Sequence, residues 1–434
     1  MKISLKKWLK QDFIKKIIKN SGILLTGSFG GSLIGLVSFA IIIRTLGANR
    51  HGEFVIMQTY METFNSLLNF QCWQALITFG SKAIIDNDNL KFKSIIKTGL
   101  YFDVISAILG TIAALLSISI FSYFFNWTKE QENMTLIFSL LILTNITGTP
   151  IGILRLLKEF KLLSSHRIVN SLIKLLLVLI GSYMKLSSNN FIILLIIIIL
   201  IEQLTMIFFA IYVLKKNNLL DFLKVKIFDW KDFVKFALWT NIESTINIPK
   251  KKLDKFFISK YLSNEAVSTF KLFTQFNQIL TKITNSIYYA IFPELSSKIA
   301  NGKRKSAIKD GVKVGLILLA AGAPFFIIFV ISSKFLIGPV FGEEYIKSWN
   351  LLVFYIAYNY VSVLFTALDP LIISLGFVKN KVSINLISNI VFIAIIIYLQ
   401  GNYGLFGFLI ADVVQKIIVY IMKINIIHKK ELKS

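Results

Sequence analysis

Two stretches of this sequence concentrate ionisable side chains inside otherwise apolar surroundings. The first, FVKFALWTNIESTINIPKKKLDKFFISKYL at 233–262, sets Glu243, Asn247, Lys250 or Lys251, and Asp254 three or four residues apart. In a helix those positions share one face. Lys252 and Lys255 add charge beside them, and Pro249, which has no backbone N–H to donate, should bend or unwind the helix there. The second stretch carries Lys271, Gln275, Gln278, Lys282, Asn285 and Tyr289 at the same spacing. Lysines grouped in this way can hold a diphosphate by point charge. Glu243 and Asp254 can carry protons or sodium, or pair with the lysines. The alternative is that the helix ends at Pro249, leaving KKKLDK as an external loop, and that Lys271 snorkels to an interface.

Other charges lie within apolar segments, where they are costly and usually face a bundle interior or a watery cavity. Asp412 precedes Lys416 by four residues, the favoured order for a pair within one helix. Lys174 and Glu202 sit on neighbouring segments and read as a structural pair. Asp369-Pro370 joins a charge to a helix break, which suits ion coupling and a structural kink equally. Arg44 lies near the outer end of the first segment, as an interface anchor would. No nucleophile–base arrangement and no P-loop pattern is present, so the chain reads as a non-enzyme. Its only cysteine is Cys72, and His51, His166 and His428 are scattered, which fits surface or loop positions better than a metal site. No cofactor is expected; a proton or sodium gradient would supply the energy.

The elements that must position these groups follow from hydropathy. The chain has 434 residues, 55% hydrophobic and 16% charged, with a mean hydropathy of +0.69. Soluble domains carry about 25% charged residues, and a soluble core could not hide this much apolar surface. The sequence therefore predicts an all-α integral membrane protein of about twelve transmembrane helices, near 22–46, 53–79, 97–125, 133–157, 169–185, 191–214, 233–258, 266–292, 312–335, 349–375, 382–400 and 403–426. The net charge of +25 lies between the apolar runs, not on one face, which speaks for topology and against nucleic acid. Odd-numbered connections hold few cations (Arg50, Lys129, Lys185, Lys260, Lys347). The even-numbered ones are richer, as in Lys82, Lys91 and Lys93, or Lys215, Lys216, Lys224, Lys226 and Lys231. Cytoplasmic loops carry that excess, so both termini are expected inside. The expected organisation is a basic amphipathic helix lying on the cytoplasmic face at 1–20, a six-helix bundle at 21–215, a cytoplasmic linker at 216–231, and a second six-helix bundle with a basic tail at 232–434. Gly27, Gly31 and Gly35, four residues apart, suit close helix packing.

Three stretches carry a family resemblance: 41–83, with the R-x-L-G of Arg44 to Gly47 followed by the G-x-F of Gly52 to Phe54; 253–276, in which Asp254 precedes a helix end, a turn and a V-x-x-F; and IFPELSSKIANGK at 291–303. In order and spacing the chain resembles Wzx-type polysaccharide flippases of the multidrug/oligosaccharidyl-lipid/polysaccharide exporter superfamily. The resemblance implies two six-helix bundles around a central cavity and alternating access in a bacterial inner membrane. It implies an undecaprenyl-diphosphate-linked oligosaccharide as substrate, moved from the cytoplasmic to the outer face for O-antigen or capsule. It also implies a polysaccharide polymerase and a chain-length regulator as partners. On this likeness Asp254 takes the family's Asp position, and Lys250, Lys251, Lys255, Lys271 and Lys282 supply a cationic, substrate-binding cavity. The rival readings are a drug or cation extruder of the same superfamily, whose cavity should be acidic or aromatic; a lipid II flippase, which usually has additional helices; and a glycan polymerase or ligase, which should show a large external loop.

Overall fold

The computed structural model describes residues 12–68, 72–245 and 252–431. Among them every regular element is helical, and the chain is an all-α integral membrane protein. Nine helical stretches are long and apolar enough to cross a bilayer. The first of these, Gly30–Ile85, holds two of the expected segments. The eighth expected segment lies in a helix that is long enough but too polar to join the apolar set, so lipid alone would not accommodate it; of the seventh, 233–245 and 252–258 are helical and 246–251 lie outside the described residues. Of the expected amphipathic helix at 1–20, residues 1–11 lie outside the described residues.

Chain contacts define two compact units, Met1–Ile42 with Met57–Thr245, and Ile43–Ile56 with Ile246–Ser434. The helix α1 (Asp12–Leu68) passes through both, and it is broken at Gly47, whose φ of 72° lies in the left-handed region that favours glycine. In the first unit follow α2 (Cys72–Ile85), α3 (Asn89–Phe125), α4 (Lys129–Thr144), α5 (Gly148–Leu156), α6 (Phe160–Tyr183), α7 (Ser188–Lys216), a short 3-10 turn (Leu220–Lys224) and α8 (Trp230–Thr245). Its core joins Cys72, Leu76, Ile96 and Leu154 to Val213, Phe233 and Ala237, so α8 packs here, on α2 and α3. Gly31 of the small-residue row lies close to α6, where the Ser171 hydroxyl donates to the Gly31 carbonyl at 3.1 Å; Gly35 meets nothing within 4 Å.

The fourth expected segment is not one helix but two, α4 and α5. Pro150 lacks an N–H and its ring would clash with the preceding turn, so it fits only in the first turn of a new helix. Buried Asp103 of α3 secures that restart: its Oδ2 accepts the backbone N–H of Thr149 at 2.5 Å, at the positive end of α5. The 3-10 turn and the chain after it are tied to the start of α3. Lys93 pairs with Asp221 at 2.7 Å, Lys91 with Asp229 at 3.5 Å, and Lys97 donates to the carbonyls of Leu223 and Val225. The Lys93 ammonium, by its hydrogen bond, holds the Asp221 carboxyl below its ordinary value.

In the second unit the elements are α9 (Asp254–Tyr261), α10 (Asn264–Ala300), α11 (Arg304–Phe341), α12 (Trp349–Ser362), α13 (Leu368–Ser374) and α14 (Val378–Glu431, broken at Gly404). The turn at 43–56 is built into this unit. His51 Nδ1 lies 2.6 Å from the Ser268 hydroxyl, which in turn lies 2.6 Å from the Tyr345 hydroxyl, all three buried. A methyl on Gly52 would overlap the Asn264 carbonyl oxygen. The Arg44 guanidinium donates to the carbonyls of Gly338 and Pro339 near the end of α11, where a cation meets the negative end of the helix. His51 and His166 are buried, not surface residues as expected. Much of α11 faces outward, with Phe325 and Phe335 more than 70% exposed, as lipid contact requires.

Candidate functional site

Of the predicted cluster, Lys250 and Lys251 lie outside the described residues, as does the side chain of Glu243. Asp254 begins α9, and both it and Lys255 are buried. The Lys255 ammonium lies 3.1 Å from Asp254 Oδ1, and the Lys255 backbone N–H donates to the same oxygen at 2.8 Å. The ammonium is also 6.0 Å from the centre of the Phe270 ring. Within the described residues, then, the acid and the cation offset each other. Lys271 and Lys282 are partly buried on α10, one turn-spacing apart from Gln275 and Gln278 along a single stripe.

The same helix presents a second polar face, about a quarter turn round from the lysine stripe, and this one lines a cavity of about 250 Å³ inside the second unit. Asn277, Thr281, Thr284, Asn285 and Tyr288 form its α10 wall. Lys271 and Lys282 are not among the lining residues; Asn285 belongs to both faces. The opposite wall comes from a break in the tenth expected segment: α12 ends at Ser362, a 3-10 turn covers Val363–Phe365, and α13 begins at Leu368. Glycines on α11 permit this break to sit close. Gly315 faces the Leu364 carbonyl so tightly that a Cβ there would overlap it, and a Cβ on Gly311 would stand 3.1 Å from the Ala367 methyl.

Two charge groups hold the cavity wall. Lys416 Nζ donates to Asp412 Oδ2 at 2.9 Å and to Asn359 Oδ1 at 2.8 Å, and sits 4.4 Å from the centre of the Tyr358 ring, whose hydroxyl donates to the same Asp412 oxygen at 2.7 Å. The expected Asp412–Lys416 pairing is present. Asp369 at the helix break accepts from Lys423 at 3.0 Å and faces Lys381 at 3.6 Å, both through Oδ1. Sequence spacing pointed to Asp369 but not to Lys423 or Lys381, which come from α14, or to Tyr358 and Asn359. The signal that could have found Tyr358 and Asn359 is the run YNYVSVLFTALDP at 358–370, polar and proline-ended within an apolar segment. No cluster of three metal-ligating side chains occurs among the described residues.

A model of the family described as polysaccharide biosynthesis protein matches residues 17–299. The chain belongs to this family. The match spans the broken first helix, all of the first unit's later helices, and α9 and α10. A curated relative, inner membrane protein YghQ of Escherichia coli (strain K12), is 23% identical over 353 residues, covering 80% of this chain and 99% of its own length. Among solved structures, an inward-facing multidrug resistance MATE family transporter of the MOP superfamily superposes with a TM-score of 0.73 at 15% identity, covering 93% of this chain and 96% of that one. The lipid II flippase MurJ, in an inward closed conformation, gives 0.69 at 16% identity over 95% and 88%. These likenesses establish the fold as the all-helical one of those two transporters.

Proposed function

We propose that this protein is a flippase that carries undecaprenyl-diphosphate-linked oligosaccharide repeat units of O-antigen or capsule from the cytoplasmic to the outer face of a bacterial inner membrane. Transport would proceed by alternating access, driven by a proton or sodium gradient. The observation that carries the reading is the placement of charge: α10 is long enough to cross a bilayer but too polar to stand in lipid, and Asp254 and Lys255 of α9 and Lys271 and Lys282 of α10 are buried or partly buried within the helical packing. Family membership supports a glycan-related substrate, and the inner-membrane relative supports the location. In this reading Lys250, Lys251, Lys255, Lys271 and Lys282 attract the diphosphate while the lipid tail stays in the bilayer, and Glu243 or Asp254 couples the ion. A drug or cation extruder fits less well, because the carboxylates Asp254, Asp369 and Asp412 already face lysines and leave little negative charge for a cationic cargo.

The reading is tested in a strain whose surface glycan depends on this gene. The variant K250Q/K251Q/K255Q should insert in the membrane at the parental level, accumulate lipid-linked repeat units, and lose surface glycan at least tenfold, the cost of about 1.4 kcal/mol or more in binding. Parental surface glycan in the triple variant would remove the lysine assignment.

A further inference from the structure

We infer that the cavity inside the second unit is a subsite for one neutral sugar ring of the transported glycan; this rests on the flippase reading and adds to it the place where the saccharide is recognised. Its volume, about 250 Å³, falls just below the ~300–1,000 Å³ of pockets for drug-sized ligands, and so suits a single pyranose. The wall chemistry matches such a ring. Hydroxyls of Thr281, Thr284, Ser362 and Thr366 line it. Several of them donate to helix carbonyls, Thr281 to Asn277, Thr284 to Leu280 and Thr366 to Val363, which leaves their oxygen lone pairs to accept from sugar hydroxyls. The Asn285 amide, which both donates and accepts, stands in the same wall.

An aromatic face completes the set. Phe365 and Tyr420 stack with centroids 4.2 Å apart and both line the cavity. The electron-rich face of such a ring attracts the polarised C–H groups on the flat side of a pyranose. Charge decides between ligand classes. The lining holds one ammonium, Lys416, and one carboxylate, Asp369, and each already has a partner of opposite charge, Asp412 for Lys416 and Lys423 for Asp369, with Lys381 farther from Asp369 at 3.6 Å. A diphosphate would need uncommitted cations and a cationic drug uncommitted carboxylates; a neutral polyol needs neither. The cavity also lies on the α10 face next to the lysine stripe, so one helix would meet both the phosphate and the sugar of a lipid-linked glycan.

The test uses the full chain in nanodiscs and saturation-transfer NMR with the methyl glycosides of glucose, galactose, N-acetylglucosamine and N-acetylgalactosamine. Inorganic pyrophosphate binding is measured separately. At least one glycoside should receive saturation. Thr281→Leu, which fills the cavity, should abolish that signal while pyrophosphate binding stays parental. Thr281→Val, which keeps the shape and removes the hydroxyl, should weaken the glycoside about fivefold, and it carries the test if the leucine variant does not fold. No signal from any of the four glycosides, a signal unchanged in both variants, or a response to sodium ions alone would overturn the inference. Loss of pyrophosphate binding in K250Q/K251Q/K255Q with the glycoside signal intact separates the two sites; absence of pyrophosphate binding in the parent strikes the lysine site and leaves the sugar subsite standing.

Discussion

Asp369 shows how much one carboxylate can hold in this unit. Its Oδ1 faces both Lys423 and Lys381, and the Lys423 side chain is only 6% exposed. Removing the negative charge would leave a nearly buried ammonium facing a neutral amide, which is costlier than losing the attraction itself. Because Asp369 is partly exposed, water recovers some of the loss. Asp369→Asn should therefore destabilise the protein by about 2 kcal/mol, read as a fall of several degrees in the melting temperature of the detergent-solubilised protein. The double variant D369N/K423M should regain most of that loss, since no buried cation remains unpaired. A melting temperature that falls further in the double variant would show that Lys423 is held by something other than Asp369.

Breaks in the helices divide what was legible in the sequence from what was not. Hydropathy located the apolar segments because burial in lipid leaves a compositional trace in every residue of a span. The turn at Gly47 fell between two expected segments, whereas the break at Gly404 falls just inside the start of the twelfth, at 403–426. Interruptions inside segments were harder to see. The restart at Thr147–Gly148 depends on Pro150 but also on Asp103, which lies far away in sequence. Likewise the Asp412–Lys416 pair was readable because it is local, whereas Lys423 and Lys381 reach Asp369 only through packing. The lysines near the start of α3 taught a related lesson: read as topology signals, they also clasp the 3-10 turn. Asp221 is held below its ordinary value by Lys93. A lowered carboxyl contributes stability above its unfolded value and loses it as pH falls through the folded one. The attachment of 220–229 to α3 should thus be complete at neutral pH and weaken below about pH 4. Hydrogen exchange of the Phe228 amide, which donates to Ser94 at 2.8 Å, should report this, and Asp221→Asn should show the fast exchange already at pH 7. Slow, pH-independent exchange in that variant would mean that Lys91 and Lys97 suffice.

At the scale of the whole molecule the chain does not simply finish one unit before beginning the other. Ile43–Ile56, near the start of the sequence, belongs with Ile246–Ser434, and its contacts are intimate: the His51–Ser268–Tyr345 hydrogen-bond series, the Gly52 approach to Asn264, and Arg44 on the last carbonyls of α11. The linker at 216–231 looks like a natural place to divide the gene, yet the downstream polypeptide would be born with a vacant slot. Expressed alone, 217–434 should be degraded or aggregate; co-expressed with 1–216, it should be rescued, and Gly52→Leu in the upstream piece should cancel the rescue. Recovery of a stable, monodisperse downstream fragment by itself would contradict this. The turn that links the first two helices thus acts as a borrowed part, which a severed downstream piece can recover only from the upstream one.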